Sequence, residues 1–328
     1  MDIGNLKARV DLISSTDFET LALDVFRYQS RHCLVYQRFL EHLQTDVANV
    51  DNVDDIPYLP IEFFKNFEIT TGQFTPALVF ESSSTTGLGV SRHCLDTPQR
   101  YTDSFVKSFH FAFGDPNQYC HLALLPSYLE RQHSSLVYQV DHFIKNSVYS
   151  QSAFYLSDMD ALHQQLLSNE VAGIPTVLWG VTYALLDMAE RYSMQLKHTR
   201  IIETGGMKGR RKEITRYELH DILRKAFGVN GIGGEYGMTE LLSQAYSSED
   251  GIYRCPPQMR ISVREINDPF SQPLVGRHGV VNVCDLSNLQ SCAFIATSDL
   301  GKAYEDGSFE ILGRVDYSDT RGCNLLVI

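Results

Sequence analysis

Five consecutive hydroxyl residues, Ser82-Ser83-Ser84-Thr85-Thr86, closed by Gly87, stand between the strand-like runs 77–80 and 90–93. Side chains this small let the backbone approach an anion, hydroxyls add donors beside the backbone N–H groups, and Gly87 permits a positive φ where the loop reverses. The segment is not a Walker loop, because the Gly-Lys-Ser/Thr ending and the immediate helix are missing. Alone it fits a phosphate cradle or a solvated Ser/Thr loop. Further on, Thr204-Gly205-Gly206-Met207-Lys208-Gly209-Arg210-Arg211-Lys212 gathers four cations beside glycines, as a phosphate site or a solvated turn would. Gly233-Gly234-Glu235-Tyr236-Gly237-Met238-Thr239-Glu240 offers an aromatic surface on which a purine could stack and a carboxylate, Glu240, for a hard cation; a structural turn fits it equally. In Thr297-Ser298-Asp299-Leu300-Gly301, Asp299 suits two vicinal ribose hydroxyls as a double acceptor. In Gly313-Arg314-Val315-Asp316, Arg314 suits a phosphate or the same sugar.

The elements that must position these groups alternate. Apolar residues from Leu21 to Leu43 recur near a 3.6 period, so the first sixty or so residues read as helical until the Pro57 and Pro60 region breaks the pattern. Thr97 and Pro98 start a helix as N-cap and first position, and Gly114 stops it. Residues 121–125 read as a strand, 175–192 as a helix, 200–203 as a strand and 215–227 as a helix, an order that favours an α/β sheet covered by helices. Beyond about residue 250, short alternating runs at 259–263, 279–283 and 309–312 predict a smaller β-rich subdomain. The expected organisation is therefore a helical segment over 1–55, an α/β core over 56–250, a β-rich subdomain over 251–312 packed on that core, and a hinge-like tail over 313–328.

Composition limits what this fold is for. With 43% hydrophobic and 21% charged residues the 328-residue chain is of ordinary globular type. Its 28 basic and 40 acidic residues give a net charge of −12, which argues against nucleic acid as a partner. No apolar run approaches the roughly 18 to 20 residues of a membrane span, and the first five residues open no signal peptide, so no stable membrane insertion and a cytoplasmic location are expected. Seven cysteines without a C-x-x-C pair indicate neither a disulfide framework nor a zinc site, and most read as small buried hydrophobes. Cys323 differs, lying in a polar, glycine-marked tail.

In this order, the blocks resemble the adenylate-forming superfamily of acyl-CoA synthetases, peptide-synthetase adenylation domains and luciferases, with serial motifs of the forms S-S-G-T-T-G, Y-G-x-T-E, T-G-D and G-R-x-D-x-x-x-x-R-G. The nearest resemblance is to the LuxE type, acyl-protein synthetases. It rests on Ser91-Arg92-His93, Leu125-Pro126-Ser127-Tyr128-Leu129-Glu130-Arg131, Glu203-Thr204-Gly205-Gly206-Met207-Lys208, Glu235 to Leu241, and Arg321-Gly322-Cys323, and runs from about residue 55 to the end. Two departures stand out. Ser84 replaces the usual glycine of the hydroxyl loop. The chain also stops past Gly322, where many relatives continue into a lid domain with a catalytic lysine, so the expected fold is the adenylate-forming N-terminal-type domain lacking that lid.

The resemblance implies ATP-dependent activation of a fatty carboxylic acid to acyl-AMP, with Mg²⁺, followed by acyl transfer to a protein cysteine and on to a partner acyl reductase or other acyl-accepting protein. It implies that Ser82, Ser83, Ser84, Thr85, Thr86 and Gly87 grip phosphates with Arg92 nearby, and that Glu240 takes the metal. Thr239 would serve the α-phosphate, Tyr236 with its neighbours Gly234, Glu235 and Gly237 the adenine, Asp299 the ribose, and Arg314 the charge that a lid lysine supplies elsewhere. Cys323 would accept the acyl group, its thiolate favoured by Arg321. An acyl- or aryl-CoA ligase resembling phenylacetate-CoA ligases and a non-catalytic acyl-binding scaffold are the alternatives. A homo-oligomer is compatible with each.

Overall fold

The computed structural model describes residues 2–14, 16–82, 89–126, 133–205, 214–249 and 251–315. Its first sheet has the order Ala153–Phe154, Cys120–Leu124, Thr176–Gly180, Thr199–Glu203, Gly233–Tyr236, Ala245–Ser247. Neighbours run parallel except the last pair. Parallel neighbours need crossovers. The helices Ser135–Asn146, Met159–Ala172, Thr182–Arg191 and Arg216–Phe227 supply them.

Local chemistry sets the helix ends. Thr97 Oγ1 accepts from the Gln99 N–H ahead of Pro98, and the helix Pro98–Phe113 closes on Gly114 at φ 88. Ser134 caps the helix Ser135–Asn146, and Thr215 forms a reciprocal capping box with Glu218. The span 175–192, expected as one helix, instead holds the strand Thr176–Gly180 followed by the helix Thr182–Arg191. All five strand residues are buried. A strand covered on both faces carries no period-2 alternation, so periodicity does not separate it from a buried helix. Gly180 then lets the following helix close in, since a Cβ there would lie 2.5 Å from Leu185 Cδ2.

A second, mainly antiparallel sheet has the order Ile252–Tyr253, Phe309–Arg314, Phe294–Ala303, His278–Asp285, Met259–Arg264. The two-residue strand Leu59–Pro60 adds to it in parallel, Leu59 opposite Ile295. The N-terminal helices Ile3–Asp11, Phe18–His32 and Leu34–His42 share one apolar core with this sheet. Phe26 and Tyr36 place their rings 6.0 and 6.2 Å from that of Phe294. The expected continuous helical pattern breaks at Cys33, whose extended backbone caps the third helix and bridges Thr71.

The two sheets meet along residues 236–246. Leu242 and Tyr246 belong to the first core, whereas Tyr236, Leu241 and Ala245 belong to the second. In an open parallel sheet ligands bind outside the carboxyl ends of the strands. Tyr236 ends such a strand at the junction of both cores. No described helix is long and apolar enough to cross a membrane.

Candidate active site

Asp299 is the hinge of the constellation. It lies in the strand Phe294–Ala303 directly opposite Arg314, and only 7% of it is exposed. Its Oδ1 accepts from Arg314 Nε at 3.0 Å and its Oδ2 from the Tyr236 hydroxyl at 3.0 Å. Its own backbone N–H donates to Thr297 Oγ1, whose proton goes to Val281 O. A carboxylate offers about four lone-pair sites, so each oxygen keeps one for a hydroxyl of a ligand. The Tyr236 ring packs edge-on against Phe309 and Tyr253, and burial raises its phenol well above the usual value.

Glu240 is the second anion, 4% exposed. Burial pushes its carboxyl above the ordinary range, opposed by a hydrogen bond with the Ser91 side chain and by the charges of Arg314 and Lys65. A buried carboxylate so sparsely donated to suits a hard cation. Among the described residues no group of three or more His, Cys, Asp or Glu forms a metal cage. A Mg²⁺ ion commonly takes one or two carboxylates and completes its shell with phosphate and water.

The backbone beneath Glu240 is clamped. Asn288 Nδ2 donates to the carbonyls of Glu240 (2.8 Å) and Cys292 (3.0 Å), while Asn288 Oδ1 lies 3.0 Å from His93 Nε2. His93 Nδ1 in turn lies 2.8 Å from Thr239 O. Both ring nitrogens therefore face acceptors, yet burial pushes the imidazole pKa down to about 4, so at neutral pH the ring donates through one nitrogen. The turn that carries Asn288 is itself held by Gln29 of the second helix. Its Nε2 donates to the carbonyls of Asn288 (3.0 Å) and Ser291 (3.1 Å), and its Oε1 accepts from Ala293 N (2.9 Å). Asp285 fixes the next residues, accepting from the N–H groups of Leu242 and Ser243.

Of the hydroxyl loop, Ser82 is described and Ser83 to Gly87 lie outside the described residues. Ser82 and Ser91 close the loop's base reciprocally, Ser82 N to Ser91 O at 3.0 Å and Ser91 N to Ser82 Oγ at 2.9 Å. Since Ser91 also touches Glu240, the loop's base adjoins the candidate metal carboxylate. Arg92 pairs loosely with Glu81 at 3.7 Å and is 53% exposed. Residues 206–212 and Cys323 are also outside the described residues. His121, noted in the sequence for its position, is a core residue: its Nδ1 accepts from Trp179 Nε1 and its Nε2 donates to Pro116 O.

Three comparisons bear on what this arrangement is. ATP-bound MatB from Rhodopseudomonas palustris superposes with TM-score 0.54 and 18% identity, over 73% of this chain and 48% of MatB. The O-succinylbenzoate coenzyme A synthetase MenE from Bacillus subtilis, bound to ATP and magnesium, gives 0.52 and 19%, over 76% and 52%. An open form of 2-hydroxyisobutyryl-CoA ligase with 2-HIB-AMP and CoA gives 0.66 and 13%, over 91% and 70%. The chain thus spans about half the length of MatB and MenE, and it shares the fold of adenylate-forming ligases. No individually curated sequence is a significant match. The family described as acyl-protein synthetase, LuxE, matches residues 14–328.

The chain belongs to the LuxE family.

The sequence reading of this LuxE-family site missed Asn288, Asp285 and Gln29, which hold its backbone. The only local signal for Asp285 and Asn288 is a mostly polar run, Asp285 to Ser291, interrupting an apolar stretch, and Gln29 has none. Glu235, grouped there with the adenine contacts, is tied to a different network. Its Oε2 accepts from Gln139 Nε2 (2.7 Å) and the Tyr246 hydroxyl (2.9 Å). A Cβ on Gly234 would lie 2.6 Å from the Tyr253 hydroxyl.

Enclosure pushes the Glu235 pKa up from 4.5 to about 7, against both of those hydrogen bonds. Between pH 4.5 and 7 the unfolded chain has lost this proton and the folded chain keeps it, so its contribution to stability falls as pH rises through that window. Glu235→Gln is expected to flatten that decline, with urea midpoints higher than the native chain's at pH 8 and similar at pH 5. A native–variant difference independent of pH would contradict the raised pKa.

Proposed function

We propose that this chain activates a long-chain carboxylic acid with ATP and Mg²⁺, forming acyl-AMP and pyrophosphate, and then passes the acyl group through Cys323 to an acyl-accepting partner such as an acyl reductase. The observation that carries the reading is the junction of the two sheets, where Tyr236, Asp299 and Arg314 are joined by hydrogen bonds beside the buried carboxylate of Glu240. Membership of the LuxE family supports the acyl-protein half of it.

The chemistry asks for what these residues provide. An oxygen of the carboxylate bonds to the α-phosphorus, the bridging P–O bond to the β-phosphate breaks, and pyrophosphate leaves with that electron pair. Two anions must therefore meet, and positioning with charge neutralisation is the main contribution of the protein. Asp299 would hold the ribose hydroxyls through its remaining lone pairs, and its grip on Arg314 Nε leaves the terminal guanidinium nitrogens, largely exposed, to face phosphate. Glu240 would hold Mg²⁺ against the phosphates, with the Thr239 hydroxyl beside it. The Cys323 thiolate then attacks the acyl carbon of the mixed anhydride and AMP departs.

Acid-dependent exchange of labelled pyrophosphate into ATP tests the first half. Exchange with long-chain fatty acids is expected. No exchange with any fatty or aryl acid would leave only a scaffold role. For the second half, a hydroxylamine-labile acyl label on the protein is expected to vanish in Cys323→Ala while exchange persists. Undiminished labelling in that variant would remove Cys323 from the reaction, and transfer to free coenzyme A would favour the acyl- or aryl-CoA ligase reading instead.

A further inference from the structure

The segment Leu59 to Asn66 is built onto the strand that carries Asp299. Leu59 and Pro60 pair in parallel with Ile295 and Ala296, and Ile61 N donates to Ala296 O at 2.9 Å. Glu62 Oε1 then accepts from the Ser298 hydroxyl at 2.9 Å, one residue before Asp299. The single-turn helix Phe63–Asn66 follows, with Phe64 buried and its ring edge-on to His93 at 6.0 Å, so the turn is fastened to the same histidine that clamps Thr239. Lys65 is the next residue and is exposed. Among the described residues its ammonium has no ion-pair partner, although it sits close enough to the site for its charge to act on the Glu240 carboxyl alongside that of Arg314. Backbone pairing and the Glu62–Ser298 contact to one strand, together with the Phe64–His93 contact, thus hold a cation near the buried carboxylate of Glu240.

Beyond its solvent-screened pull on the Glu240 carboxyl, the arrangement has no structural use for the charge. An exposed lysine adds little to stability. Near a triphosphate, by contrast, an ammonium on a fixed turn neutralises charge without reorganisation during the reaction. We propose that Lys65 is a catalytic residue of this site, whose ammonium contacts the phosphates of ATP opposite Arg314 and so supplies a second cation from the N-terminal side of the fold. The inference rests on the acid-activation reading above. Its role is electrostatic: no proton is transferred, and Lys65 stabilises charge as the P–O bond to pyrophosphate breaks.

The test is equilibrium titration of the full chain with ATP in excess Mg²⁺, alongside acid-dependent pyrophosphate exchange, for the native chain, Lys65→Gln and Lys65→Arg. Lys65→Gln is expected to weaken ATP binding about tenfold, as loss of one charge-assisted contact does, and to slow exchange at saturating ATP by a further factor of about ten. Lys65→Arg, which keeps the charge, is expected to recover most of the binding. Unfolding midpoints should be unchanged in both, since the side chain is exposed. ATP affinity and exchange in Lys65→Gln within twofold of a native chain that binds and exchanges would overturn the assignment and leave the activation reading intact. A native chain that neither binds ATP nor exchanges would remove both.

Discussion

Glu240→Gln is expected to suppress acid-dependent pyrophosphate exchange by about a hundredfold or more, on the order of 3 kcal/mol of transition-state stabilisation, while leaving the fold at least as stable as before. The two halves of that result have one cause. Burial raises the Glu240 pKa, so above its unfolded value the ionised carboxylate costs folding free energy, a cost present at neutral pH and relieved as pH falls through the folded pKa. Glutamine has nearly the same shape, can still meet Ser91, and carries no charge. A residue whose neutralisation spares or improves stability while removing activity is held in place for function. Urea midpoints at pH 7.5 and exchange at saturating Mg²⁺ measure both. Exchange within threefold of the native chain would remove Glu240 from the metal role, and a markedly lower midpoint would show that its charge is compensated in the fold.

The outline of this site was legible because its parts are local. Tyr236 to Glu240, Asp299 and Arg314 each stand in a short block whose residue types suit a nucleotide, and the register that sets Asp299 opposite Arg314 follows from a single hairpin. The helix cap at Thr97 was legible for the same reason, since it acts on Gln99 two residues away. What escaped depends on distance along the chain. His93 and Asn288 meet across 195 positions and Gln29 reaches Asn288 across 259, contacts that no spacing rule encodes. The strand Thr176–Gly180 escaped because burial on both faces erases alternation. Leu59–Pro60, two residues long, gives no periodic signal, yet it ties the N-terminal region to the strand bearing Asp299.

Those long-range contacts carry the second large effect. Asn288 is 1% exposed and serves three partners at once, the carbonyls of Glu240 and Cys292 and the ring of His93. Asn288→Ala leaves these groups buried without their partner. Each orphaned polar group costs about 1–3 kcal/mol, so a loss of about 3 kcal/mol or more in unfolding free energy is expected by urea titration. The site should suffer beyond the loss of stability. With the carbonyl of Glu240 released and His93 no longer braced, Thr239 and Glu240 lose the support that aims them, and exchange is expected to fall about tenfold at a temperature where the variant is fully folded. His93→Gln makes the comparison sharp, because its amide can still donate to Thr239 O while Asn288 keeps both of its carbonyls; it should retain more activity than Asn288→Ala. If a fully folded Asn288→Ala exchanged at the native rate, the clamp would serve folding alone. Its conjunction with Gln29 would then mark a core junction between the N-terminal helices and the second sheet, and the aim of Glu240 would have to come from Asp285 through Leu242 and Ser243.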